Sequence, residues 1–395
     1  MEFDFDTPVN RRGTDSVKWN VDPTELPMWV ADMDFKTAPA VERAIMQRAA
    51  EGVFGYTTFP DAWYDAYIGW WRDRHDFPIE REWLGFAVGV IPAISAAIRV
   101  LSEPGDRVVM LTPIYSAFPA IVEGNGRISA EVQMLLSYED GRPVYQIDWA
   151  ALDAALAADH TPLLIFCSPH NPTGQIWDRE TMTRIGAMCR EHGVTVLSDE
   201  IHSDIVMPGK RCLPFAAASE VNLGLTATFL APTKSFNIMG LKSAAVCAAD
   251  PELRGKILSA LGDLAGANAF AAPATIAAFT EGGEWLDALC AYIFRGKARV
   301  DAFLASELPE IASVPSEATY LMWLDIGKIT EDSGGFYRYL RRETGLYVCP
   351  GSWYRGDGAR FLRFNAACPR SLLEDGLNRL KTGVRKYEVE HGITL

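Results

Sequence analysis

Lys234 stands in Ala231-Pro232-Thr233-Lys234-Ser235-Phe236-Asn237, directly behind the apolar, β-prone run 225–230 and ahead of Gly240. An ammonium beside buried sequence is costly unless it is paired or its pKa falls. That cost turns a lysine into an amine nucleophile or an imine former; the ordinary alternative is a lysine on an exposed strand-to-helix loop. Other polar positions fall at equivalent places. Gly89-Val90-Ile91 follows the apolar run 84–88, Tyr115 follows 107–111, Asn171 follows 162–167, and Asp199 closes 194–198. In an open α/β sheet the carboxyl ends of the strands share one edge, where ligands bind. Chain-distant residues therefore converge. A lysine for an aldehyde, a carboxylate for a protonated ring nitrogen and an amide for a phenolate oxygen fit one ligand. So do a tyrosine ring to stack on a flat ring and backbone N–H groups at a helix start for a phosphate. The cofactor that combines these groups is pyridoxal 5′-phosphate (PLP).

The elements that must position these residues follow from the pattern. Residues 1 to about 35 are irregular and proline-punctuated (Pro8, Pro23, Pro27) and end in Trp29-Val30-Ala31-Asp32-Met33-Asp34-Phe35. The two acids read as caps on a packed arm, with pocket lining as the alternative. Pro39 opens a helix that ends at Glu51-Gly52. Asp61 is expected as the N-cap of a second helix with an aromatic face of Trp63, Tyr67, Trp70 and Trp71. From about residue 84, strand, turn and helix alternate, with a helix at 93–101, helices capped by Asp148 and Asp178, and one ending at Gly193. Gly124-Asn125-Gly126 lacks the third glycine of a dinucleotide loop and reads as a helix-to-strand turn. This is an α/β chain with a mostly parallel central sheet covered by helices. After about residue 280 the texture becomes α+β: a helix at 285–304, apolar 319–324, a helix near 332–343, strand 361–365 and a last helix from about Arg370. The expected division is an N-terminal arm with part of the small domain over 1–45, a large cofactor-binding domain over 46–280 and a small C-terminal domain over 281–395.

The bulk numbers narrow the function class. A chain of 395 residues exceeds one ordinary core. A net charge of −14 argues against nucleic acid or an anionic membrane as partner. No apolar run is long enough to span a bilayer, and the start of the chain is acidic rather than signal-like. Seven scattered cysteines, with no CxxC pair, point to a reduced cytoplasmic protein without disulfides or zinc. Asp199-Glu200-Ile201-His202-Ser203-Asp204 lacks the second histidine of a helical metal site, so no metal is expected.

The chain resembles fold type I PLP enzymes of the aspartate aminotransferase superfamily, and within it the cystathionine β-lyase and cysteine-conjugate C–S lyase branch. The resemblance spans essentially the whole chain. It is carried by 29–35, Ser168-Pro169-His170-Asn171-Pro172-Thr173-Gly174, Ser198-Asp199-Glu200-Ile201-His202 and Thr233-Lys234-Ser235-Phe236-Asn237. It implies that Lys234 is the cofactor lysine, Asp199 the ring-nitrogen partner, Asn171 the O3′ donor and Tyr115 the stacking ring. It further implies Val90, Ile91, His202, Thr233 and Lys242 around the cofactor. Tyr56 would reach the site from the neighbouring subunit of a homodimer with shared active sites, and Arg363 would bind the substrate carboxylate as a fork. From the residues alone, a strand-edge salt bridge is the other use for Arg363. Ala231 stands where many relatives have a phosphate-binding serine, and Lys242 where transaminases usually have arginine. A transaminase and a PLP-holding regulatory protein remain as rival functions. The arm 29–35 and aromatics near Trp63 and Trp353 are candidates for the pocket of the substrate's distal group.

Overall fold

The computed structural model describes residues 3–262 and 266–393. Seven strands make the central sheet: β1 (Leu84–Ala87), β2 (Arg107–Thr112), β3 (Ile128–Gln133), β4 (Leu163–Cys167), β5 (Thr195–Asp199), β6 (Thr226–Leu230) and β7 (Ala244–Cys247). Their order is β1-β7-β6-β5-β4-β2-β3. Neighbours from β6 to β3 run parallel. β7 runs against both β1 and β6, so β1 and β6 point the same way. The carboxyl ends of β1, β2, β4, β5 and β6 therefore share one edge. Strands β4 and β6 are buried at every residue, as strands covered on both faces must be. Val108 and Met110 of β2 enter one hydrophobic cluster, while Val109 and Leu111 enter another on the opposite face, the two-residue period of a pleated strand.

Local chemistry sets several helix starts. Asp148 and Asp178 each accept a backbone N–H three residues on, at 2.9 and 2.6 Å, and Gly193 takes the left-handed conformation after its helix. Two expected boundaries move. The helix Asp61–His75 begins one residue earlier than an Asp61 cap allows: Pro60 holds the extended entry, and the Asp61 carboxylate instead receives Arg81. The helix after β1 is Val90–Leu101, three residues longer than 93–101. Pro92 falls in its first turn, where a missing N–H costs nothing.

Four short antiparallel strands form a second sheet: β8 (Ala312–Ser313), β9 (Leu321–Asp325), β10 (Cys349–Pro350) and β11 (Phe361–Asn365), in order β8-β9-β11-β10. Helices Gly283–Glu307, Ser333–Thr344 and Arg370–His391 contribute apolar faces to the same cluster, as do Leu26 and Met28 of the arm. Leu26–Pro27 pairs in parallel with Leu346–Tyr347 and launches the arm toward the large sheet. Asp32 and Asp34 are not caps. Arg11 reaches Asp32 at 2.6 Å and Asp34 at 2.8 Å, and the buried Lys18 reaches Asp34 at 2.7 Å. The acids are ion-paired within the arm itself, which fixes the path of 29–35.

The turn carrying Asn171 abuts the segment leading into β9. Gly174 has φ +71°, and a Cβ there would lie 1.9 Å from Ser316 Oγ and 2.7 Å from the Ala318 carbonyl oxygen. Gly174→Ala is expected to destabilise the protein by about 2–5 kcal/mol, from left-handed strain plus overpacking. Denaturant unfolding reads this as a lower midpoint at unchanged slope.

Candidate active site

The shared edge carries a cavity of about 290 Å³. Its wall includes Gly89, Val90, Ile91, Tyr115, Asn171, Asp199, His202, Thr233, Lys234 and Lys242. Each arrives at the end of a strand or on the loop after it, so the sheet brings together residues far apart in the chain. Tyr56 is not among them. It lies fully exposed on the segment between the first two helices. Trp63 lies in the core against Tyr67 and Phe86, at 0% exposure. Trp353 packs on Tyr337 at the surface. Neither lines the cavity; tryptophan's large apolar area is satisfied by core packing as readily as by a ligand.

Lys234 follows β6 on a tightly held loop. Phe236 N–H donates to Pro232 O at 2.9 Å, and Ile238 N–H to Thr233 O at 2.9 Å. On one side Ser235 Oγ donates to Asp204 at 2.8 Å; on the other the Asn237 amide grips the Met33 and Phe35 carbonyls, each at 2.9 Å. Burial, helped by the Arg363 charge, pushes the Lys234 amine down to about 8, against the opposing pull of Asp32 and Asp199. Its Nζ donates to the carbonyl oxygen of Ala31. Tyr320 Oη donates to that same oxygen at 2.9 Å. The arm is thus a cavity wall, and Ala31 and Tyr320 are site residues that spacing did not show. Only the run of large apolar groups around Asp32 and Asp34 hinted at it.

Asp199 ends β5 and accepts the Ile201 N–H at 3.1 Å. Burial pushes its carboxyl up to about 6 with no cation bonded to it, opposed by that hydrogen bond and the Lys234 charge. A cation placed against it would reverse that cost. His202 lines the same wall with its ring edge toward Tyr320, and burial holds it well below its usual pKa, hence neutral. Its Nδ1 is buried without a partner. The turn at Asn171 is fixed by Gly174 N–H to His170 O at 2.7 Å and by His170 Nδ1 beside Thr173 Oγ1 at 2.8 Å. Gly89 has no side chain to cap the helix Val90–Leu101, so first-turn N–H groups remain available at the cavity. Lys242 adopts φ +52°, a conformation unusual for a side chain of its size.

Arg363 lies on β11, an interior strand, which removes the strand-edge salt bridge as its role. It has no carboxylate partner among the described residues. Its Nη2 donates to Trp29 O at 2.8 Å and its Nη1 makes a long 3.4 Å contact to Asn171 Oδ1. The Tyr354 ring lies 5.0 Å below it. Its Nε is buried with no partner, an open donor of the kind natural interiors seldom tolerate without a role.

The family described as aminotransferase class I and II matches residues 26–380. The chain belongs to that family. Among its relatives, cystathionine β-lyase PatB of Bacillus subtilis is 39% identical over 97% of this chain and 100% of its own length. Protein MalY of Escherichia coli is 34% identical over 97% of this chain and 99% of that one. Cystalysin from Treponema denticola, whose structure contains a pyridoxal 5′-phosphate cofactor, is 30% identical with a TM-score of 0.92. That match covers 98% of this chain and 100% of the other. Among the described residues no group of His, Cys, Asp and Glu could hold a metal ion, and no helix is long and apolar enough to cross a membrane. All seven cysteines are free and buried.

Proposed function

We propose that this chain is a PLP-dependent carbon–sulfur β-lyase that cleaves cystathionine or related cysteine S-conjugates to pyruvate, ammonia and a thiol by α,β-elimination. One observation carries the reading: a buried, low-pKa lysine and a buried carboxylate with no cation bonded to it share one cavity, and a buried arginine with an open donor reaches Asn171 of its wall. The lyase names of the relatives point the same way. The residues fit the cofactor. An uncapped helix start, an unpartnered His202 Nδ1 and the unpaired Asp199 each await a group of complementary charge or hydrogen bonding. When bound, PLP supplies an electron sink for charge developing at the substrate's Cα.

The chain's own residues do the rest. The Val90 and Ile91 N–H groups, Thr233 and Lys242 would hold the phosphate end, with Lys242 supplying the positive charge, and the neutral His202 would hydrogen-bond the cofactor through Nδ1. Asp199 would keep a proton on the ring nitrogen, Asn171 would donate to the ring's O3′, and Tyr115 would stack on its face. Arg363 would take the α-carboxylate on its fork. Lys234 Nζ, its pKa lowered to about 8 by burial, would in its neutral form accept the Cα proton and hold it for the departing thiolate. Ala31 O and Tyr320 aim Nζ into the cavity, and the arm shields that proton from water. The exposed Tyr56 suits a role across the interface of a homodimer with shared sites. Seven reduced cysteines suit a cytoplasmic enzyme. A large body over 46–280 would carry the cofactor, with 281–395 and the arm over 1–45 closing on the substrate.

Incubation with L-cystathionine tests the proposal. Pyruvate released without added keto acid supports it. Stable pyridoxamine phosphate instead makes the chain a transaminase, and a spectrum that does not respond makes it a PLP-holding binding protein. The lysine's pKa has its own consequence. Only the neutral amine attacks an aldehyde, so PLP uptake by the apoenzyme is expected to rise about tenfold per pH unit up to about pH 8 and then level off. Stopped-flow absorbance at a series of pH values reads this; a rise continuing past pH 10 would show an ordinary lysine.

A further inference from the structure

Behind Lys234, away from the cavity, lies a second buried polar cluster. The segment Asp199-Glu200-Ile201-His202-Ser203-Asp204 splits its polar groups: Asp199 and His202 line the cavity, while Glu200 and Asp204 point elsewhere. Asp204 is 7% exposed. Its carboxylate accepts from Ser235 Oγ at 2.8 Å, Trp70 Nε1 at 2.9 Å and His75 Nε2 at 2.8 Å. The other ring nitrogen, His75 Nδ1, faces the Cys212 carbonyl oxygen at 3.0 Å. Both ring nitrogens thus meet acceptors, which calls for an N–H on each. His75 is also the last residue of the helix Asp61–His75, where a cation is favoured by the helix dipole. Burial pushes the Asp204 carboxyl up, but the hydrogen bond and charge of His75, with Ser235 and Trp70, hold it below its usual range. Glu200, the other buried acid here, takes its donors from Ser198, Ser203 and the Phe215 N–H. Burial pushes it up to about 7. The other charges that line the cleft with His75 and Asp204 are Asp73, Lys210, Arg211 and the Arg74–Asp287 pair.

We propose that His75 is a positioning residue for Lys234: its doubly protonated ring neutralises Asp204, and Asp204 grips Ser235 Oγ, which sets the backbone from which Lys234 projects. Ser235 is next to the lysine and fully buried. With Asn237 tied to the arm, the loop is clamped on both sides, leaving Nζ to move only through its own side-chain torsions. A lone carboxylate in this core would be strongly disfavoured. Without the histidine's charge Asp204 is left as an uncompensated carboxylate that shifts to find other donors, and the grip on Ser235 weakens.

The inference rests on the proposed lyase only through the bound cofactor. Its test uses the PLP-loaded enzyme with His75→Gln, Ser235→Ala and the double variant. The readouts are the pH midpoint of the cofactor's visible band, and kcat and KM for L-cystathionine. Loss of a positive charge behind Lys234 favours a proton retained at Nζ, so His75→Gln is expected to raise the midpoint by at least about half a pH unit. Its kcat is expected to fall about tenfold with KM within about twofold. Ser235→Ala leaves both charges in place and is expected to move the midpoint and lower kcat all the same. If the two act through one chain, the double variant goes no further than His75→Gln alone. A Ser235→Ala midpoint equal to the parent's, or a double shift equal to the sum of the singles, overturns the proposal. Should His75→Gln not fold, Ser235→Ala decides alone by the same midpoint. A colourless parent overturns the function itself, whereas a coloured parent with unmoved variants overturns only the role of His75.

Discussion

Lys234→Ala is expected to lower pyruvate formation from L-cystathionine by at least about 10,000-fold, the upper end for a positioned proton-transfer group, because the covalent anchor is lost as well. The visible band of the PLP-loaded enzyme should vanish with it. The fold should persist. The amine's hydrogen bond is to Ala31 O, and that oxygen keeps its 2.9 Å bond from Tyr320 Oη. Far-UV circular dichroism and thermal unfolding close to the parent's would therefore accompany the loss. β-Elimination retained in this variant would move the proton transfer to another group and defeat the assignment.

Asp199→Asn carries the second large effect. The substitution keeps the shape and the carbonyl oxygen that accepts the Ile201 N–H at 3.1 Å. Among the described residues lining the cavity Asp199 is the only acid, so the substitution removes the negative charge proposed to hold the ring-nitrogen proton. Removing one partner of a buried charge pair costs about 3–5 kcal/mol, or about 150- to 5,000-fold in kcat/KM. The loss should appear in kcat, because the Asp199 charge matters most when electrons flow toward the ring. Binding through Arg363 should leave KM nearly unchanged. A variant with normal kcat would show that the ring nitrogen needs no counter-charge here.

Several parts of this fold were legible because their causes are local. β4 is a continuous apolar run and β6 a β-prone run of threonine, alanine, phenylalanine and leucine. The Asp148 and Asp178 caps reach only three residues along the chain. The strand β7 was not legible. It is only four residues long, Ala244–Cys247, with Val246 its one strong β-former, and the two strands beside it make it a strand. The hairpin Leu135–Glu139 with Arg142–Gln146 was missed for a related reason: its first strand is mostly exposed and shows no alternation. Trp63 shows the reverse error, since a large aromatic on the apolar face of a helix reads equally well as a pocket or as core.

By itself, the sequence determined the strands that end at the site and the helices between them, and the placement of a lysine, an aspartate, an asparagine and a glycine turn after separate strands. Given that ligands gather at one sheet edge, it also determined that these residues meet. That much follows because strand periodicity and strand ends are properties of short stretches. Only the tertiary structure decided that the arm closes the cavity, with Ala31 O on Lys234 and Trp29 O on Arg363. It alone left Arg363 without a carboxylate partner among the described residues and set His75 behind the lysine loop. Those relations join residues up to some three hundred positions apart, and burial, which sets the pKa of Lys234 and Asp199, exists only once the sheet, the arm and the second sheet have packed together.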